Sequence, residues 1–85
     1  MAYEIEMDLQ ARAQVRELPV EALKDLAEAM VVLQVAPWSG DSLRRGKPDG
    51  PVRTLAFGAA GMITYLILED QQIVDVLSIF WAGPV

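Results

Sequence analysis

Residues 52–81, VRTLAFGAAGMITYLILEDQQIVDVLSIFW, decide the fold. The stretch is rich in Val, Ile, Thr and aromatic residues and is broken twice by turn-formers, the pattern of a strand meander. It reads as three strands: Val52–Phe57, Met62–Leu68 and Ile73–Trp81. Gly58-Ala59-Ala60-Gly61 forms the first hairpin turn and Glu69-Asp70-Gln71-Gln72 the second. Connections this short make the three strands antiparallel neighbours.

Working towards the N-terminus, residues 37–51, PWSGDSLRRGKPDGP, are dense in Pro, Gly, Asp and Ser and form a long loop. Before it, Val20, Leu23, Leu26, Ala27, Met30, Val31 and Gln34 recur at helical spacing and define one stripe, apolar except for Gln34, expected to be buried. Glu21, Lys24, Asp25 and Glu28 line the wet side. Pro19 is placed as the first residue of this helix, and Pro37 biases its predecessor away from helical geometry, so the helix ends near Val35. Asp8 suits an N-cap for an earlier helix through Ala11 and Val15. Ahead of it, Tyr3, Ile5 and Met7 alternate with Glu4, Glu6 and Asp8, the period of a half-buried strand. The expected order is β-α-α-β-β-β, an α+β fold with two N-terminal helices packed on an antiparallel sheet. At 85 residues, 53% of them hydrophobic, the chain is expected to be one domain, 1–85.

Composition closes several functional classes. With no cysteine there is neither a disulfide framework nor a thiolate metal site. With no histidine the usual general base and the usual zinc ligand are missing, so no metal or cofactor is expected. The longest uncharged run, Thr54 to Leu68, is too short for a bilayer span of ~18–20 residues. The acidic N-terminus is unlike a signal peptide, and a soluble cytoplasmic protein without membrane contact is expected.

Net charge is −5, but it is unevenly spread. Residues 1–36 hold seven acids and three bases, residues 61–85 three acids and no base. Between them Arg44, Arg45, Lys47 and Arg53 place four of the seven basic residues within ten positions. A basic island on an acidic chain points to phosphate contact, which is sequence-independent and salt-sensitive.

The order of elements, the Leu18-Pro19 break, the loop Leu43-Arg44-Arg45-Gly46-Lys47-Pro48-Asp49, the following Val52-Arg53-Thr54-Leu55 and the later Ile63-Thr64-Tyr65 resemble the RelE/ParE superfamily of toxin–antitoxin modules. The likeness covers nearly the whole chain. It implies a cytoplasmic toxin held silent by a cognate antitoxin. The RelE branch implies metal-independent, ribosome-dependent cleavage of mRNA, and the ParE branch poisoning of DNA gyrase. A further alternative is a degenerate member that binds its antitoxin and cuts nothing. Two departures bear on the choice. The arginine that RelE-like nucleases place three residues before the matched tyrosine is Met62 here. The last strand ends in Phe80-Trp81-Ala82-Gly83, without the arginine, or the histidine and tyrosine, that those nucleases tend to carry, and without a helical tail bearing a tyrosine.

Cleavage through the 2′-hydroxyl needs a proton acceptor, cations on the phosphate and a proton donor to the leaving oxygen. Arg53 is the candidate phosphate clamp because it begins a strand rather than lying on a loop tip. The bland alternative is a solvated strand-edge arginine. Tyr65 is the candidate acid/base or stacking group, against the commoner role of a mid-strand tyrosine in packing. Arg44, Arg45 and Lys47 are candidate RNA-binding residues, and Trp81 a candidate stacking platform or antitoxin anchor. Phe80 is expected in the core, Trp38 against the end of the second helix, and Asp75 near enough to pair with Arg53.

Overall fold

The computed structural model describes residues 2–44 and 46–84; Arg45 lies outside them. The elements are β1 (Glu4–Met7), α1 (Leu9–Arg16), α2 (Val20–Val35), β2 (Asp41–Ser42), β3 (Val52–Phe57), β4 (Gly61–Leu68) and β5 (Ile73–Trp81). Two helices pack on a five-stranded sheet of order β1-β5-β4-β3-β2. The α+β reading holds, and the three meander strands fall within one residue of their expected bounds.

Two features of the sheet differ from expectation. β1 joins β5 in parallel, with Glu6 beside Asp75, so the sheet is mixed. The chain reaches the far edge of the sheet through both helices and the long loop, and then returns by two hairpins. The loop itself contributes β2, two residues held antiparallel to β3. A register shift at Thr64/Tyr65 pairs Tyr65 with Val76 but Thr64 with Ser78, leaving Leu77 as the extra residue of a bulge.

Asp8 holds the extended geometry of an N-cap and its carbonyl accepts from Arg12 N at 3.0 Å, although its side chain makes no cap bond. Pro19 sits one position earlier than expected. Its ψ of 156° is extended and its carbonyl accepts from Ala22 N, which makes it the cap of α2 rather than the first helical residue.

The buried stripe of α2 is Ala22, Leu26, Ala29 and Leu33, with Met30 at its margin. Of the expected stripe only Leu26 is fully buried. Val20 is 79% exposed and Val31 56%, and Leu23 also faces outward. Apolar residues occupy both sides of this helix, so periodicity alone does not set its phase. The face with two alanines wins because small side chains let the helix axis approach the sheet closely. Opposite it, Phe57, Ile63, Tyr65, Ile67, Val74, Val76 and Ile79 complete the core.

Candidate binding site

In β3, Arg53 is in phase with Leu55 and Phe57, the residues that point towards the helices. It is accordingly buried, at 7% exposure. A buried guanidinium is tolerable only when its donors are matched. Arg53 Nε donates to Gly50 O at 3.0 Å, Nη1 to Gly40 O at 2.8 Å and Trp38 O at 3.3 Å, and Nη2 to Pro48 O at 2.6 Å. Four of its five N–H groups are thus engaged. The Trp38 ring covers the fork, with its centroid 4.8 Å from Cζ. All four acceptors belong to the long loop, which has little regular pairing of its own. Arg53 ties that loop together. Arg53 is thus not a solvated strand-edge arginine, and the guanidinium expected to clamp a phosphate faces loop carbonyls in this structure.

Tyr65 is fully buried beside it, its Oη donating to Pro37 O at 2.6 Å. Burial raises its pKa, and nearby Arg53 only partly offsets this. Gly40 is required at this contact, since a Cβ there would collide with Tyr65 Oη and stand 2.6 Å from Thr54 O. A ring enclosed in this way has no face for a base and no hydroxyl free for proton transfer. The packing reading of Tyr65, not the acid/base or stacking one, fits this geometry.

Two further residues of the basic island are described, and both lie outside. Arg44 and Lys47 are exposed and, with Ser42, Leu43, Gly50 and Val52, line an open cavity of about 280 Å³. Ser42 Oγ shapes its floor, 3.1 Å from Arg44 O and 2.5 Å from Lys47 O. Trp81 is half-buried, its ring centroid 5.9 Å from that of Phe57 and its Nε1 donating to Pro84 O at 3.1 Å. Phe80, expected in the core, is 61% exposed because it points to the opposite side of β5 from Ile79. Trp38 packs on Arg53 and donates from Nε1 to Glu69 Oε1 at 2.8 Å, where Tyr3 Oη also donates at 2.7 Å. These bonds lower the Glu69 pKa, Tyr3 first and Trp38 second, and the bond to Glu69 raises that of Tyr3.

The face of the sheet away from the helices has a different character. Strand pairing aligns its residues in rows: Val52–Leu66–Asp75–Glu6, then Leu68–Ile73–Glu4, then Asp41–Thr54–Thr64–Ser78, then Ala56–Met62–Phe80. None of these residues is a lysine or arginine. Asp8 extends the acidic edge, held there by its N–H to Val76 O at 3.0 Å. Asp75 therefore does not pair with Arg53, which lies on the other side of the sheet. Its carboxyl is instead pushed up by partial burial first, then by hydrogen bonding and charge from Asp8, and by the charge of Glu6. The sequence reading missed this acidic edge, although the alternation of Glu4, Glu6 and Asp8 in the first strand carries half of it.

Among the described residues no group of three or more His, Cys, Asp or Glu is placed to hold a metal ion, and no helix is long and apolar enough to cross a membrane.

No family model matches the sequence, and no curated protein matches it. Solved structures do match in shape. The RelBE toxin–antitoxin complex of E. coli aligns at TM-score 0.80 and 19% identity, over 98% of this chain and 100% of that one. The E. coli toxin RelE as a free-state mutant aligns at TM-score 0.78 and 21% identity, over 98% of this chain and 86% of that one. The RelBE2 complex of Mycobacterium tuberculosis aligns at TM-score 0.68 and 18% identity, over 99% and 95%. The chain has the RelE fold.

Proposed function

We propose that this chain is the toxin-fold member of a cytoplasmic toxin–antitoxin pair, and that it acts by protein contact rather than by cutting RNA. The fold supports the first half, since similar structures include complexes of such toxins with antitoxins. One observation carries the second half: the guanidinium best placed in sequence for a phosphate is tied to four loop carbonyls. Tyr65 is enclosed beside it, so neither the clamp nor the proton donor for 2′-hydroxyl chemistry is at the surface.

A second reading, ribosome-dependent mRNA cleavage without metal, draws on the cavity beside Arg44 and Lys47. In that reading Arg44, Arg45 and Lys47 hold phosphates and Trp81 stacks on a base. Mapping of mRNA 5′ ends after brief induction of the chain alone separates the two. The proposal expects no new ends in phase with codons, and growth arrest with intact mRNA points to a protein target such as DNA gyrase. Codon-phased ends that vanish in the Arg44→Ala/Lys47→Ala double variant would establish the nuclease and overturn the proposal.

A further inference from the structure

Helix α2 has two apolar faces, and the fold uses only one of them. Ala22, Leu26, Ala29 and Leu33 are buried, while Val20, Leu23, Ala27, Val31 and Val35 stay exposed on the opposite side. These five form one stripe at helical spacing along the whole of a 16-residue helix. We propose that the stripe is a self-association surface, on which α2 packs antiparallel against α2 of a second copy of this chain, with the twofold axis beside Ala27. The inference goes beyond the function proposed above and does not depend on it.

The spacing of the stripe selects a second copy as its occupant. Its other apolar residues lie seven and four positions before Ala27, and four and eight positions after it. Reversing the helix therefore lays apolar residues on apolar residues: Leu23 of each copy meets Val31 of the other, and Val20 meets the Gln34–Val35 end. Ala27 at the crossing is small enough for the two axes to approach within about 8–10 Å.

Charge points the same way. Lys24 and Glu28 are exposed on one rim of the stripe, and a twofold axis sets like rims against each other. Lys24 of each copy then stands roughly 3 Å along the axis from Glu28 of the other, which gives two symmetry-related ion pairs. Asp25 is turned away, towards Gly58 in the β3–β4 turn, and takes no part. Area sets the strength. The helix runs about 24 Å, and its stripe buries roughly 400 Å² per copy, half of what each side of a standard interface contributes. The dimer is therefore weak and reversible, with a dissociation constant on the order of tens of micromolar.

The test is sedimentation velocity of the full chain at neutral pH, from about 5 µM to about 1 mM. The mass is expected to rise with concentration from 9.3 kDa towards twice that value. Ala27→Glu puts two carboxylates at the crossing and is expected to weaken association about tenfold or more. Lys24→Glu and Glu28→Lys each turn both ion pairs into like-charge pairs and are each expected to weaken it about fivefold. An equimolar mixture of those two variants is expected to associate like the parent, because the mixed dimer restores both pairs. The chain has no cysteine, so single cysteines report position. Oxidised glutathione is expected to cross-link Ala27→Cys into a dimer but not Val20→Cys, whose counterpart lies ~21 Å away in the antiparallel pair. A mass that stays at 9.3 kDa throughout would overturn the inference and leave the stripe to another protein. A dimer that survives Ala27→Glu would place the contact on another surface, and equal cross-linking of Val20→Cys would make the helices parallel; either result overturns it as well.

Discussion

The two faces of the sheet treat charge in opposite ways. On the helix side a cation, Arg53, is buried and matched by carbonyl dipoles of the loop above it. On the other side Glu6, Asp8 and Asp75 crowd together with no cation in the rows around them. In sequence Arg53 belongs to one basic island with Arg44, Arg45 and Lys47. In space the loop carbonyls and the Trp38 ring close over it, while Arg44 and Lys47 stay exposed. Neighbours in a basic run along the chain therefore need not share one surface, and Arg53 is set apart from Arg44 and Lys47.

The largest effect expected from this comparison is at Arg53. Arg53→Met leaves four carbonyls without their donor and is expected to cost about 3–5 kcal/mol. Thermal denaturation followed by circular dichroism reads this, at roughly 4–8 °C per kcal/mol for a domain of this size. A melting point close to the parent's would break the comparison, because it would mean the guanidinium is not holding the loop. Tyr65→Phe keeps the ring and removes only the donor to Pro37 O, for an expected loss of about 1–3 kcal/mol in the same assay.

On the acidic face the expected effect is smaller and depends on pH. The folded Asp75 carboxyl binds its proton more readily than the unfolded one, so its charging opposes folding as pH rises above the ordinary value of 3.8. Stability from this group is greatest at low pH and falls through the window up to the raised pKa. Asp75→Asn is expected to remove that slope and to stabilise the chain at neutral pH by less than about 1 kcal/mol. Denaturant melts at several pH values check the sign. A destabilised variant at neutral pH would mean that Asp75 has a cationic partner after all. The smallest effect is at the exposed residues Arg44 and Lys47, where Arg44→Ala with Lys47→Ala is expected to stay within about 0.5 kcal/mol of the parent.

Much of this architecture can be read from the chain. The meander strands are legible because their period and turn residues agree. The phase of α2 is not, because Val20, Leu23 and Val31 compete with Ala22, Leu26 and Ala29 for the core and only packing decides. β2 is two residues whose strand character comes from β3, and the parallel union of β1 with β5 leaves no local mark. The burial of Arg53 is hard to read from the chain for a related reason. Its phase with Leu55 and Phe57 points inward, yet an inward arginine is plausible only once carbonyls up to 15 residues away have been brought over it. The acidic edge is half legible in Glu4, Glu6 and Asp8, and is completed only by the register that sets Asp75 beside Glu6.

The most direct test of the account is the exchange behaviour of the Arg53 guanidinium by ¹⁵N NMR, with oligouridine added at low salt. The account predicts slowly exchanging, rotation-restricted Nε–H and Nη–H signals for Arg53 that do not move on addition of RNA. Fast-exchanging Arg53 signals that shift as RNA is added would place the guanidinium at a phosphate and contradict it.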